Sequence, residues 1–133
     1  MYSDFEKAFD KVPHARLLSK LYSYSISNTV IKWIQDFLPG RRYRVHVNLS
    51  YALWSWVTSG IPQSSVLVPL LFLIFINDLI ECCVAHSEIY LFADDAKLFK
   101  HILNDSDRQS LQEGVNELYE WTQRWLLKLN III

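Results

Sequence analysis

Ile89-Tyr90-Leu91-Phe92-Ala93-Asp94-Asp95-Ala96-Lys97-Leu98-Phe99 is the stretch whose reading decides the fold. Apolar residues alternate on both sides of a tight acidic pair, and that pattern reads as strand, turn, strand. The hairpin runs from about Glu88 to Lys100 and holds Asp94 and Asp95 at its tip. A third acid, Asp4, stands far upstream in Asp4-Phe5-Glu6-Lys7-Ala8-Phe9-Asp10. Three carboxylates brought to one point make a poor ion-pair site but a good cage for hard divalent cations. Alone, an Asp-Asp pair more often marks a solvated turn. The apolar strands around it and the upstream partner reverse that reading.

Working outward, 133 residues make one domain or a piece of one. Hydrophobic residues are 51%, aromatics 14% and charged residues only 20% of the chain, which includes five Trp. That is greasy for a small domain. A large core accounts for part of it, and faces meant to be covered by missing parts of a larger protein account for the rest. The net charge of −1 gives no global signal for nucleic acid, so any such binding needs a local patch. Cys82 and Cys83 are adjacent and read as buried reduced thiols, in keeping with an intracellular protein. The apolar run from Val66 to Ile76 is interrupted by Pro69 and closed by Asn77-Asp78. It falls short of the roughly 20 residues that span a bilayer and reads as a buried helix, with no membrane partner.

The remaining elements follow from local signals. Pro13 suits the first turn of a helix whose apolar face is Leu17, Leu18 and Leu21. Ser27 is placed to cap a second helix through Val30, Trp33, Ile34, Phe37 and Leu38, ended by Pro39-Gly40. Tyr43, Val45 and Val47 alternate with polar residues, and Trp54 to Thr58 reads as their partner strand, giving a hairpin with Arg41, Arg42 and Arg44 near one end. Ser64 or Ser65 then caps a long apolar helix to about Cys83. Ser106-Asp107-Arg108-Gln109 has the form of a capping box for a last helix through Leu111, Val115, Leu118, Trp125 and Leu129. Asn130-Ile131-Ile132-Ile133 reads as the start of a strand. Helices mixed with antiparallel hairpins make an α+β fold.

Four motifs now stand in order: Asp4-Phe5-Glu6-Lys7-Ala8-Phe9-Asp10; Ser59-Gly60-Ile61-Pro62-Gln63; Pro69-Leu70-Leu71-Phe72 with Ile76-Asn77-Asp78-Leu79; and Phe92-Ala93-Asp94-Asp95. Each alone is weak. Together they resemble the palm of reverse transcriptases of non-LTR retrotransposons, the LINE-type and jockey-like elements, over nearly the whole chain. The resemblance implies a palm-like antiparallel sheet packed on helices, with residues 1–133 a palm fragment truncated at both ends and lacking fingers and thumb. It implies an RNA-directed DNA polymerase that joins deoxynucleotides to a DNA primer 3′-hydroxyl on an RNA template. The cofactor implied is Mg²⁺, two ions, with Mn²⁺ as a possible substitute. Asp4 and Asp94 would bridge both ions, Asp95 would be the third acid, and the Phe5 carbonyl an extra ligand.

By the same resemblance Phe9 is a ring beneath the incoming sugar that excludes a 2′-hydroxyl, and Gln63 contacts the incoming nucleotide. From composition alone Phe9 is equally a core aromatic and Gln63 a polar loop residue. Asp10 reads as a cap or structural acid. Arg41, Arg42 and Arg44 form the one basic cluster, either a contact for template or primer phosphates or a solvated hairpin end. Trp121 and Trp125 read as core, and the four His have no ligand spacing. Ser64 and Val68 stand where the family usually has Gly, and Ile133 stands where it usually has Lys. An intact relative would act in the nucleus. The resemblance thus predicts a polymerase palm with little or no activity in isolation, against two alternatives: a dead remnant with at most a binding role, and a two-metal nuclease, which lacks a base placed to activate water.

Overall fold

The computed structural model of the chain describes residues 1–63 and 65–130. At its centre the alternating stretch forms two strands, β6 (Glu88–Phe92) and β7 (Asp95–Phe99), joined by the two-residue turn Ala93-Asp94. The first strand, β1 (Tyr2–Phe5), pairs antiparallel with β7, and the short β8 (Leu129–Asn130) pairs antiparallel with the other edge of β1. The sheet order is therefore β6-β7-β1-β8. A period of two puts Ser3, Phe5, Ala96 and Leu98 inward, all buried, while Tyr2, Tyr90, Phe92 and Lys97 stay exposed on the opposite face. One face lies on helices and the other is bare. This is the α+β palm-like arrangement that the sequence predicts.

The covering layer is helical. Four further helices, α1 (Ala8–Lys11), α2 (His14–Ser23), α3 (Asn28–Phe37) and α4 (Leu67–Ile76), precede α5 (Leu79–Cys83) and the long α6 (Asp105–Trp125). Leu17 and Leu21 of α2, Ile31 and Ile34 of α3, and Leu71, Phe72 and Phe75 of α4 join Phe5, Leu98, Leu118 and Trp121 in one core. Phe5 of the sheet lies 6.0 Å, ring to ring, from Trp121 of α6, so the strand that carries Asp4 is anchored by the residue beside it. Burial of a ring of this size stabilises by roughly 1.5–3 kcal/mol.

Several sequence expectations are corrected. The single helix expected to run to about Cys83 is two, α4 and α5, separated at Asn77-Asp78. Both residues favour caps over helix interiors. The Asp78 carboxylate accepts from Lys20 Nζ at 2.5 Å and from Trp121 Nε1 at 2.9 Å. Nor is α4 buried all round: Val68, Leu71, Phe72, Phe75 and Ile76 face the core, whereas Val66, Leu70 and Leu73 are exposed. Val66 rather than a serine holds its N-cap position, and Ser65, one residue earlier, accepts from the Leu67 N–H at 3.2 Å. Ser27 does sit at the N-cap of α3, but without a side-chain bond. Pro13 sits at the N-cap of α2 rather than inside its first turn.

The hairpin expected over Arg41–Asn48 and Trp54–Thr58 is two short ladders. β2 (Arg42–Tyr43) pairs with β5 (Ser55–Trp56), and β3 (His46–Val47) pairs with β4 (Ser50–Tyr51). Asn48 and Leu49 turn the inner pair with φ of 48° and 65°. Positive φ at both central residues is the hairpin turn that matches strand twist. The capping box of α6 is Asn104 with Asp107, two residues earlier than the serine that the sequence suggests. Asn104 is extended at φ −150°, and its side chain takes the Asp107 N–H. The strand expected at the C-terminus begins as β8, and residues 131–133 lie outside the described residues.

Candidate active site

The N-terminal acid and the turn acids meet through backbone pairing. Asp4 stands directly opposite Asp95 in the β1–β7 register, and the Phe5 N–H donates to the Asp94 carbonyl at 3.0 Å. Directly opposed residues point to one face with Cβ atoms about 4.5–5.5 Å apart, where like charges repel. The turn that presents them has Ala93 at φ 52°, a left-handed conformation that costs a non-glycine residue roughly 1–2 kcal/mol. Asp4 is half-buried, and its Oδ1 is buried with no hydrogen-bond partner. A carboxylate oxygen shut from water and unpaired asks for a cation or a donor.

Asp4 and Asp95 line an open cavity of about 650 Å³ together with Tyr2, Tyr90, Phe92 and Lys97. Asp94, in the turn, is not among its lining residues. Among the described residues no three His, Cys, Asp or Glu side chains come close enough to hold one ion. The structure thus brings together two of the three expected acids by side-chain face and the third by its main chain. Mg²⁺ is usually held by one or two carboxylates plus waters and substrate phosphates, so the Asp4–Asp95 pair, with its unpartnered oxygen, fits a hard cation.

Two of the other expected residues, Gln63 and Arg41, line a second cavity of about 610 Å³ together with Lys7, Asp10 and Lys11 among others. Gln63 is exposed, and its Nε2 donates to Asp10 Oδ1 at 3.1 Å. Asp10 also holds the loop through its main chain, since Ser59 Oγ donates to its carbonyl at 2.9 Å. Gly60 takes φ 86°, and a Cβ there would lie 2.5 Å from the Asp10 carbonyl oxygen, so only glycine fits. His14, which the sequence left without a role, meets the Gly60 carbonyl through Nε2 at 2.8 Å. The loop before Ser64 is therefore fastened to α1 and α2, and Ser64 itself lies outside the described residues. Phe9 is half-buried with its ring 4.6 Å from Phe72, against the core.

The three arginines part company. Arg41 is half-buried, its Nε donates to the Leu38 carbonyl at 3.0 Å, and its Nη2 is buried without a partner. Burial pushes its pKa below the ordinary arginine value. Arg42 and Arg44 are exposed and lie over aromatic rings. Sequence reading missed one further cluster: Lys20 of α2, 2% exposed, sits over the rings of Phe75, Trp121 and Trp125 and reaches the Phe75 carbonyl as well as Asp78. Trp121 is core as expected, and Trp125 is half-buried.

Comparison with known proteins bears on all of this. The family model for reverse transcriptase (RNA-dependent DNA polymerase) matches residues 1–131. The chain is 33% identical over 139 residues to the probable RNA-directed DNA polymerase from transposon BS of Drosophila melanogaster, covering 98% of this chain and 15% of that protein. It is 31% identical over 136 residues to the RNA-directed DNA polymerase from mobile element jockey of Drosophila funebris, covering 97% of this chain and 15% of the relative. Against the corresponding protein from transposon X-element of Drosophila melanogaster the identity is 27%, with 98% and 15% covered. The chain thus spans about 15% of the length of these relatives.

Proposed function

Since this chain belongs to the reverse transcriptase family, we propose that it carries the acids of an RNA-directed DNA polymerase, acting by two-metal nucleotidyl transfer. Asp4, Asp94 and Asp95 are the proposed catalytic acids and metal ligands, with the Phe5 carbonyl beside them. The observation that carries this reading is the facing pair Asp4–Asp95 with an unpartnered Asp4 Oδ1 in an open cavity. Mg²⁺, or Mn²⁺ in its place, would lower the pKa of a primer hydroxyl and neutralise charge building on the reacting phosphate. The chain's own part is to hold the carboxylates on adjacent strands and to keep the turn rigid. Phe9 is proposed to gate the sugar from beneath. Gln63 is proposed to contact the incoming nucleotide when it leaves Asp10. Arg42 and Arg44 are proposed to contact phosphates of an RNA template or DNA primer, with Arg41 turned inward to the Leu38 carbonyl at the base of the hairpin. The site of action proposed is the nucleus, and no described helix is long and apolar enough to cross a membrane.

A metal-dependent melting experiment tests the acids. Without metal, Asp95→Asn relieves the repulsion facing Asp4 and melts at or slightly above the parent. With Mg²⁺ or Mn²⁺ at ten times its dissociation constant, the parent gains about 1.4 kcal/mol, whereas Asp4→Asn and Asp95→Asn gain nothing. Equal metal shifts in all three proteins would remove the case. A second reading, binding without catalysis, is favoured by the position of the Asp94 side chain outside the cavity. It keeps the metal shift of the parent but leaves Asp94→Ala with the same shift.

A further inference from the structure

The two ladders of the arginine hairpin hold a run of neighbouring cations and rings. The Arg42 guanidinium lies 5.1 Å from the Trp56 ring centre and 5.8 Å from that of Trp54. Arg44 lies 4.6 Å from the same Trp54 and 3.8 Å from Tyr51. His46 then stacks on Tyr51 at 4.2 Å with the planes 22° apart. Sequence pairing explains the order, because Arg42 is opposite Trp56 and His46 opposite Tyr51 across the two ladders. The rings remain open to solvent, with Tyr51 59%, Trp54 54% and Trp56 62% exposed.

Three features of this strip say what covers it. No Asp or Glu stands between Asp36 and Asp78, so the hairpin is wholly basic in a chain of net charge −1. Among the described residues neither the Arg42 nor the Arg44 side chain makes a hydrogen bond or an ion pair, so each guanidinium lies against rings with its N–H donors unused. A guanidinium already held against a ring loses little further freedom when it binds a phosphate. Exposed tryptophan and tyrosine rings beside two free guanidinium groups suit unpaired bases, whose own faces are hidden in a duplex.

We infer that Trp54, Trp56 and Tyr51, with Arg42 and Arg44, form a docking strip for single-stranded nucleic acid, in which bases stack on the rings and phosphates meet the arginines. This rests on the proposed phosphate role of the arginine cluster and deepens it. It assigns the aromatic partners and the unpaired state of the strand. It also sets Arg41 apart, because that side chain turns inward to Leu38.

The test measures anisotropy of a labelled mixed-sequence 12-nucleotide RNA with the full chain, against its duplex and against a polyglutamate peptide of similar charge. The single strand binds, the duplex and peptide bind at least tenfold more weakly, and Trp54→Ala or Trp56→Ala lowers affinity about tenfold. Arg44→Gln reduces the slope of log affinity against log salt by about 0.7, one phosphate on a single strand. Melting temperature checks that each variant is folded, and all these side chains are exposed. The polymerase reading fails separately: Asp4→Asn and Asp95→Asn leave RNA affinity unchanged, and Trp54→Ala leaves the metal shift unchanged. Equal binding of duplex or polyglutamate, or RNA affinity untouched by the tryptophan variants, overturns the strip.

Discussion

Lys20 is a cation withdrawn from water, and its surroundings decide what its neighbours are worth. Three ring faces and two oxygens replace its hydration. Burial pushes its pKa below the ordinary lysine value, against the upward pull of Asp78. Removing Asp78 strands a buried charge, so Asp78→Ala is expected to cost about 3–5 kcal/mol in urea unfolding. Lys20→Met keeps the stem and drops the charge, and is expected to cost clearly less, because Asp78 is 32% exposed and still accepts from Trp121. The reverse order of the two losses would refute this account. Cys83 gives a pH signature. Burial lifts its thiol pKa to about 11. The unfolded thiol ionises near 9, so between those values the folded state binds more protons and stability falls as pH rises. The Cys83→Ala variant lacks that loss. Its deficit against the parent, measured by denaturant at pH 8 and pH 10.5, should shrink by about 2 kcal/mol, and a constant deficit would contradict it. None of this was visible in the sequence, where Lys20 looks like any surface lysine of an amphipathic helix and Asp78 like a helix stop.

At the scale of elements, α6 lies against the turn between α5 and β6 because Gly114 leaves room. A Cβ at Gly114 would stand 2.3 Å from Ser87 Oγ and 3.1 Å from its Cβ. Alanine is the better helix former by about 1 kcal/mol, yet overpacking costs typically 1–3 kcal/mol. Gly114→Ala is therefore expected to lower stability, and adding Ser87→Gly should recover most of it, as read by thermal melting of the single and double variants. A stabilising single variant would show that α6 shifts freely. Alternation and spacing made β6, β7, α3 and the apolar face of α2 legible, since each rests on local pattern. Boundaries set by tertiary contacts were not. The break at Asn77-Asp78 depends on a lysine nearly sixty residues earlier, and the true cap Asn104 has no sequence mark that favours it over Ser106. Leu49 at φ 65° likewise hides the inner turn, because the usual Asn-Gly signal is absent.

Over the whole molecule, apolar surface is distributed unevenly. Leu70 and Leu73 project from α4 with Val66 just before it, and Tyr2, Tyr90 and Phe92 from the bare face of the sheet, in a chain that spans about 15% of its relatives. Alternation marked the acidic hairpin, and the resemblance carried by the four motifs joined Asp4 to its acids. The sequence could not tell which side chains share a face. The register that sets Asp4 against Asp95 leaves Asp94 in the turn, engaging Phe5 through its carbonyl. Catalysis asks more than this. Reacting atoms must be held within about 0.5 Å, by side chains that are themselves locked, and here Asp4 sits one residue from the end of a four-residue strand with one oxygen unpaired. Duplex must also be gripped by basic surface, yet none of Arg41, Arg42 and Arg44 lines the cavity at the acids. The expected outcome for the isolated chain is thus metal-dependent stabilisation without templated synthesis. A primer-extension assay with Mg²⁺, an RNA template and all four deoxynucleotides should yield no product above that of Asp94→Ala. Extension that follows the template and is lost in Asp94→Ala would show that these 133 residues suffice for the chemistry.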